Sequence, residues 1–313
     1  MLRSVLSWIK RHHMNLKKHS VDVAINAYGK PYQTAITLLS LLQHSGEWIN
    51  KIYFVEEAKQ PEPSNFQFIF DHLGDQMVYY KPKLWLWTNN VKFNFLLRFK
   101  WFRRAIRYQY AWEKSDQKYL LVIHNDVLFK GDLVKEYLEG IGSASGIGRI
   151  GQCWGCPAFE AKLCQPETYT QYKPDYEELM QIAAEYPKAR TFTYTHAVDP
   201  ATPWPLPECR LNEYVAMIDL EKTRKDTLPV GKGSAFGSYD RLDVGVKWFA
   251  DMNNLGHSFV HFDYDPYATH SWISLKNAGH DALFNKDLYK YEESVALQQL
   301  IDEFGYNPQT KSL

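Results

Sequence analysis

The stretch YLLVIHNDVLF, residues 119–129, decides how this chain is read. Tyr119, Leu120, Leu121, Val122 and Ile123 are a continuous apolar run, the pattern of a strand buried on both faces. Such strands belong to sheets covered by helices on either side. The run meets His124, Asn125 and Asp126 with no Gly or Pro to mark a turn, then resumes as Val127, Leu128 and Phe129. Polar groups at the end of a core strand in an open α/β sheet face the crevice where ligands bind. A lone carboxylate there, Asp126, is costly to bury. A divalent cation would offset that cost and would also neutralise a diphosphate. The plainer alternative is an Asp that caps the next turn.

Working outward, strands alternate with helices. VDVAIN (21–26) reads as a strand, TAITLLSLLQHSG (34–46) as a helix stopping at Gly46, KIYFVEE (51–57) as a second strand and MVYYK (77–81) as a third. NFLLRFKWFRRAIRYQYAWEK (94–114) has the spacing of one long amphipathic helix. This order predicts an α/β fold with a mainly parallel central sheet flanked by helices. Beyond residue 141 the style changes. Residues 150–210 are loop-rich and carry all four cysteines, with one helix expected at 174–189. Strand-like NEYVAMIDLEKTR (212–224), helical DVGVKWFADMNNLG (243–256) and the strand HSFVHF (257–262) follow. The organisation expected is a basic arm at 1–20, a single domain at 21–290 that includes the Cys-bearing subregion, and a C-terminal helix and tail at 291–313.

The 313 residues are 45% hydrophobic and 23% charged, which is globular rather than disordered. Lys plus Arg and Asp plus Glu both count 36, so no net charge draws the chain to nucleic acid. Aromatic residues reach 15%, a richness that suits sugar-handling surfaces and thick cores alike. No run approaches the roughly 18 apolar residues of a membrane helix. The basic N-terminus lacks the apolar core and cleavage site of a signal peptide. It reads as a frayed arm or short helix, or alternatively as a helix lying on an anionic membrane surface. The compartment expected is the cytoplasm, with the inner membrane face as the place of peripheral contact.

Taken with its surroundings, YLLVI-HND-VLFK-GDL resembles glycosyltransferases of the A-type, Rossmann-like fold, close to the family 2-like enzymes. In that family an Asp-x-Asp triplet after an apolar strand binds a divalent metal and the donor diphosphate. The last position falls on Asp126; the first is His124, a ligand suited to Mn or Zn and poor for Mg. The resemblance implies Mn or Mg at the donor site. VDVAINAYGKPYQTAITLLSLLQHSG resembles the family's first strand, loop and helix, which places Asn26, Ala27 and Tyr28 at the nucleotide base. KIYFVEE ends in Glu56 and Glu57, where in the family an acidic residue often contacts base or ribose; a solvated strand end is the alternative. Arg107, 19 residues before Asp126, matches an Arg that faces the diphosphate, with Arg98, Arg103 and Arg104 as competitors. Asn125 sits within the triplet on the donor side. LDVGVKWFADMNNLGHSFVHFDYDPYATHSW resembles the late helix and strand, after which a His completes the metal site. His270 is the first candidate and His261 the second. RLNEYVAMIDLEKTR loosely resembles a segment of some retaining enzymes, with Tyr214 where that segment has Gly. Glu213, Asp243 and Asp240 are the candidate carboxylate bases.

The resemblance implies a transferase that moves a sugar from a nucleotide-diphosphate sugar to a glycan or lipid-linked hydroxyl acceptor. Two other readings stand beside it. One is a non-catalytic nucleotide-sugar or glycan-binding protein on the same fold, for which His124 in place of Asp would be the mark. The other is a nucleotidyltransferase, which would want a more Gly-rich loop than AYGKP.

Cys153, Cys156, Cys164 and Cys209 follow C-x2-C-x7-C with a distant fourth. In a cytoplasmic chain disulfides are disfavoured, and the close first pair suits one ion, giving a structural zinc of four thiolates. Four unrelated reduced thiols are the alternative.

Overall fold

The structure, a computed structural model, describes residues 16–86, 94–238, 243–273 and 280–308. Most of the basic arm therefore lies outside the described residues. The strands are β1 (Val21–Ala27), β2 (Ile49–Glu56), β3 (Met77–Tyr80), β4 (Tyr119–Ile123), β5 (Val127–Phe129), β6 (Gly146–Ile150), β7 (Leu211–Asp219), β8 (Phe259–His261) and β9 (Ala268–His270). Seven of them form one sheet in the order β3-β2-β1-β4-β7-β6-β8, and β5 with β9 forms a small antiparallel ladder. Pairs β1–β2, β1–β4, β2–β3 and β6–β8 are parallel, whereas β7 is antiparallel to both β4 and β6. Six strands thus point one way and β7 alone runs against them. This is the mainly parallel, helix-flanked α/β sheet expected from the sequence.

The apolar run of β4 explains its central place. Leu121 and Ile123 pack into a core with Ile36, Leu38 and Leu41 of the helix Pro31–Ser45. Leu120 and Val122 pack on the opposite face with Trp112, Trp248 and Phe249. Each such side chain contributes about 1.5–3 kcal/mol by leaving water, so β4 has no face it can turn to solvent. The helix Pro31–Ser45 starts at a Pro, whose missing N–H is no loss in a first turn. The C-terminal helix Lys286–Phe304 lies against it, and Glu293 accepts the Tyr32 backbone N–H (2.9 Å) and the Gln33 amide (3.1 Å).

The single long helix expected over 94–114 is not formed. A 3-10 turn (Asn94–Arg98) and two short helices (Lys100–Arg103, Gln109–Lys114) take its place. The break lies at Tyr108, which adopts φ 63° while its N–H donates to Asn26 Oδ1 at 3.0 Å. Glu113 folds back to pair with Arg103 and Arg104. The segment is thereby pinned over the end of β1 instead of running on as a rod.

Residues 151–210 connect β6 to its neighbour β7 and carry only short helices, Pro157–Glu160, Tyr176–Glu185 and Tyr194–Ala197. This is the Cys-bearing, loop-rich insertion. No described helix is long and apolar enough to cross a membrane.

Candidate functional site

From β1 the sheet grows outward through β2 to β3, and the chain then returns to lay β4 on the other side of β1. The crevice between the carboxyl ends of β1 and β4 is therefore a topological switch point, where open α/β sheets bind ligands. Residues 27–30 reach it from β1 and residues 124–126 from β4. Because β7 is reversed, its first residues arrive at the same edge. Ile123 pairs with Val215, and the His124 N–H donates to the Tyr214 carbonyl at 3.1 Å, which sets Glu213 beside His124. The β5–β9 ladder supplies the last piece. Val127 pairs with His270, and the Ser271 N–H donates to the Asp126 carbonyl at 2.8 Å.

These pairings bring His124, Asp126 and His270 together, with one ligand atom from each lying within 4.8 Å of the others. Asp126 Oδ1 is 3.2 Å from His270 Nε2 and 3.7 Å from His124 Nδ1. That oxygen is buried and accepts no hydrogen bond, so its lone pairs face the space between the two imidazoles. The group could hold a metal ion. Its two nitrogen donors favour Mn or Zn over Mg. Burial pushes His270 below the ordinary histidine pKa, which keeps it neutral and fit to donate a lone pair. Burial also works against a charged His124, but Asp126 and Glu213 beside it outweigh burial and raise its pKa. Asp126 lies well below the usual carboxylate range; burial opposes that, and the Lys30 ammonium beside it overcomes it. The Tyr214 ring stacks on His270 at 3.8 Å between centroids and fixes the imidazole plane.

Several contributors escape a reading of the sequence. Lys30 places its Nζ 2.7 Å from Asp126 Oδ2, with Ser271 Oγ at 3.2 Å from the same oxygen. Its backbone is left-handed (φ 57°), and its N–H donates to the Tyr289 hydroxyl at 2.8 Å. Arg210, fully buried, sets its guanidinium 3.1 Å from Glu213 Oε2 and 3.2 Å from Asp243 Oδ2. An Arg just ahead of an apolar strand is the one signal that could have pointed to it.

The remaining candidates divide. Asn125 donates from Nδ2 to the Gly29 carbonyl (3.0 Å) and to Thr34 Oγ1 (3.1 Å), clamping the 27–30 loop onto the end of β4. Ala27 ends β1 opposite Glu56, and the Tyr28 ring stacks on Trp85 at 6.1 Å. Arg107 Nε meets Glu57 at 3.1 Å, and the same carboxylate accepts from Asn26 at 3.3 Å. Glu57 is buried, while Glu56 turns outward to Tyr79 and Lys81. Arg103 and Arg104 are engaged by Glu113, and Arg98 lies over Phe95 and Phe99. Glu213 Oε1 is 3.5 Å from His124 Nε2. Asp243 is gripped by Arg190 (2.9 Å) and Arg210; burial opposes its charge, yet the two guanidiniums hold its pKa far below the usual range. Asp240 lies outside the described residues. His261 stands apart, its Nδ1 accepting the Ile150 N–H at 3.0 Å. The four cysteines lie in the β6–β7 connection and none joins the His124 group.

Comparison with solved structures returns glycosyltransferases of low identity. A mannosyltransferase from Pyrobaculum calidifontis, in complex with GDP-Man and Mn2+, is 8% identical over 95% of this chain and 77% of its own, with a TM-score of 0.46. The galactosyltransferase LgtC, in complex with donor and acceptor sugar analogues, is 11% identical over 88% of this chain and 95% of its own, with a TM-score of 0.44. Core-mannan synthase A from Aspergillus fumigatus, in its Mn/GDP form, is 11% identical over 80% and 74%, with a TM-score of 0.43. No protein-family model matches the chain, and no curated protein sequence does.

Proposed function

We propose that the chain is a metal-assisted glycosyltransferase that moves a sugar from a nucleotide-diphosphate sugar to a hydroxyl of a glycan or lipid-linked acceptor. The observation that carries this reading is the His124–Asp126–His270 group, with the Lys30 ammonium beside it, at the switch point between β1 and β4. A departing nucleoside diphosphate gathers negative charge, and fixed positive groups aimed at that charge are the largest lever a site has on the step. His124, Asp126 and His270 would hold a transition-metal ion, which would supply Lewis-acid stabilisation of the diphosphate.

The chain's own residues take the remaining roles. Ala27 and Tyr28 line the nucleotide side. Asn125 keeps their loop closed on β4. Arg107 presents its planar fork to a phosphate while Glu57 orients it. Glu213 stands at the entry of β7, next to His124, and accepts the proton of the acceptor hydroxyl. Asp243, locked between two arginines, is a poor base; it positions Arg210, which in turn holds Glu213.

The test is thermal shift of the purified chain against a panel of nucleotide-diphosphate sugars, with and without Mn, followed by transfer and donor-hydrolysis assays. One donor should raise the melting point with metal present, and Asp126→Ala should abolish the shift. A donor that binds but is neither transferred nor hydrolysed with any acceptor would make this a binding protein. No shift with any donor and no turnover would overturn the proposal.

A further inference from the structure

All four cysteines of this chain, separated by up to 56 residues, line one small void between β6 and the insertion. Cys153 and Cys156 flank a 3-10 turn, in which the Cys156 N–H donates to the Cys153 carbonyl at 3.0 Å. Cys164 follows the short helix Pro157–Glu160, and Cys209 comes just before β7. Three of the four are buried, and none forms a disulfide. The void measures about 10 Å³, roughly the room one water-sized sphere needs. Its other walls include Ile150, Phe159 and Tyr169, with Gln165 and the buried Glu208 as the polar side chains.

We propose that this void is a structural zinc site of four thiolates, Cys153, Cys156, Cys164 and Cys209, independent of the donor site. Chance burial of reduced thiols scatters them through a core, whereas here the whole complement of a 313-residue chain faces one ion-sized space. The spacing and the turn present the first pair as two ligands to one ion. Backbone N–H groups of Ala158 and Phe159 point at the Cys156 sulfur, an arrangement that favours a thiolate over a thiol. Without an ion, burial pushes both Cys153 and Cys156 up to about 12. Cys164 and Cys209 complete the lining of the void. The sulfurs ring the space without closing on it: no three lie within 4.8 Å of one another. A zinc–sulfur distance of about 2.3 Å therefore calls for side-chain rotation inward from walls already in place. Binding displaces four thiol protons and forms four Zn–S bonds, with no change of oxidation state. The ion would tie together an insertion whose helices are short and joined by long loops.

The experiment is metal analysis of the full-length chain purified without added metal, run in parallel on Asp126→Ala and on Cys164→Ser/Cys209→Ser. The expected result is about one zinc per chain in the first two, retained through EDTA dialysis, and its loss in the cysteine variant. Cobalt substitution of the wild-type chain should add sulfur-to-cobalt charge-transfer absorption near the ultraviolet and tetrahedral bands in the red; this readout stands even if the cysteine variant fails to fold. Three results would overturn the proposal. These are no zinc together with four freely titrating native thiols, iron–sulfur absorbance in place of zinc, and zinc that disappears with Asp126→Ala while the cysteines stay reactive.

Discussion

Lys30 Nζ stands 2.7 Å from Asp126 Oδ2, and both side chains are buried. The ammonium neutralises one oxygen of the carboxylate and leaves the other, Oδ1, turned to His124 and His270. One carboxylate thus serves a fixed cation on one side and offers free lone pairs on the other.

Lys30→Met removes the fixed cation and leaves Asp126 buried without its strongest partner. Breaking a buried pair in this way costs about 3–5 kcal/mol. Urea denaturation without metal should show that loss, and excess Mn should restore part of it by mass action. No rise in the stability of either chain on adding Mn would mean that no ion binds at Asp126.

Glu213→Gln keeps the shape and removes the proton acceptor. Transfer should fall by about 10²–10⁴-fold, while the donor-induced rise in melting point is unchanged. Loss of donor binding instead would move Glu213 to the donor side.

Arg107→Met should weaken donor binding by roughly 10-fold or more, the worth of a charge-assisted hydrogen bond. It also strands the buried Glu57. In Arg107→Met/Glu57→Gln stability should recover and donor affinity should not. Isothermal titration with the donor beside a melting curve separates the two effects.

Glu293 gives a pH signature away from the site. Burial pushes its carboxyl up to about 7, against the backbone N–H of Tyr32 and the amide of Gln33, which lower it. Between about pH 4.5 and 7 the folded chain keeps a proton that the unfolded chain has lost. Stability from this group is therefore present at low pH and falls as pH rises through that window. Each tenfold difference in proton affinity is worth about 1.4 kcal/mol, so the whole loss is at most about 3.5 kcal/mol. Glu293→Gln should flatten the corresponding part of the stability profile measured from about pH 5 to 8, and an unchanged slope would refute the assignment.

The sheet was legible because β4 has apolar residues at both parities, a pattern only a doubly covered strand needs. His270 was a candidate through the resemblance alone, and its place at the end of a strand was not read. Its meeting with Asp126 was not legible, since it depends on a ladder between segments about 140 residues apart. Lys30 was hidden inside Gly-Lys-Pro, which reads as an entry to a helix; nothing in that triplet says that a left-handed lysine turns inward. Glu56 and Glu57 could not be told apart, because β2 is buried at both parities up to its last residue. The 94–114 segment has the period of a helix, and its break comes from a distant asparagine, Asn26, that captures the Tyr108 N–H.

The reversed strand also orders assembly in time. β6 is made before β7, yet β7 lies between it and β4, and in the large sheet β6 hydrogen-bonds only to β7 and β8. The four strands β3-β2-β1-β4 can associate as soon as residue 123 has been synthesised, whereas residues 146–150 have no place in the sheet until some 60 further residues have arrived. Such long-range pairing is slow. A nascent chain therefore holds the β1–β4 edge with Lys30 and Asp126 early and gains Glu213 and then His270 late, so the His124 group closes only when most of the chain has been made.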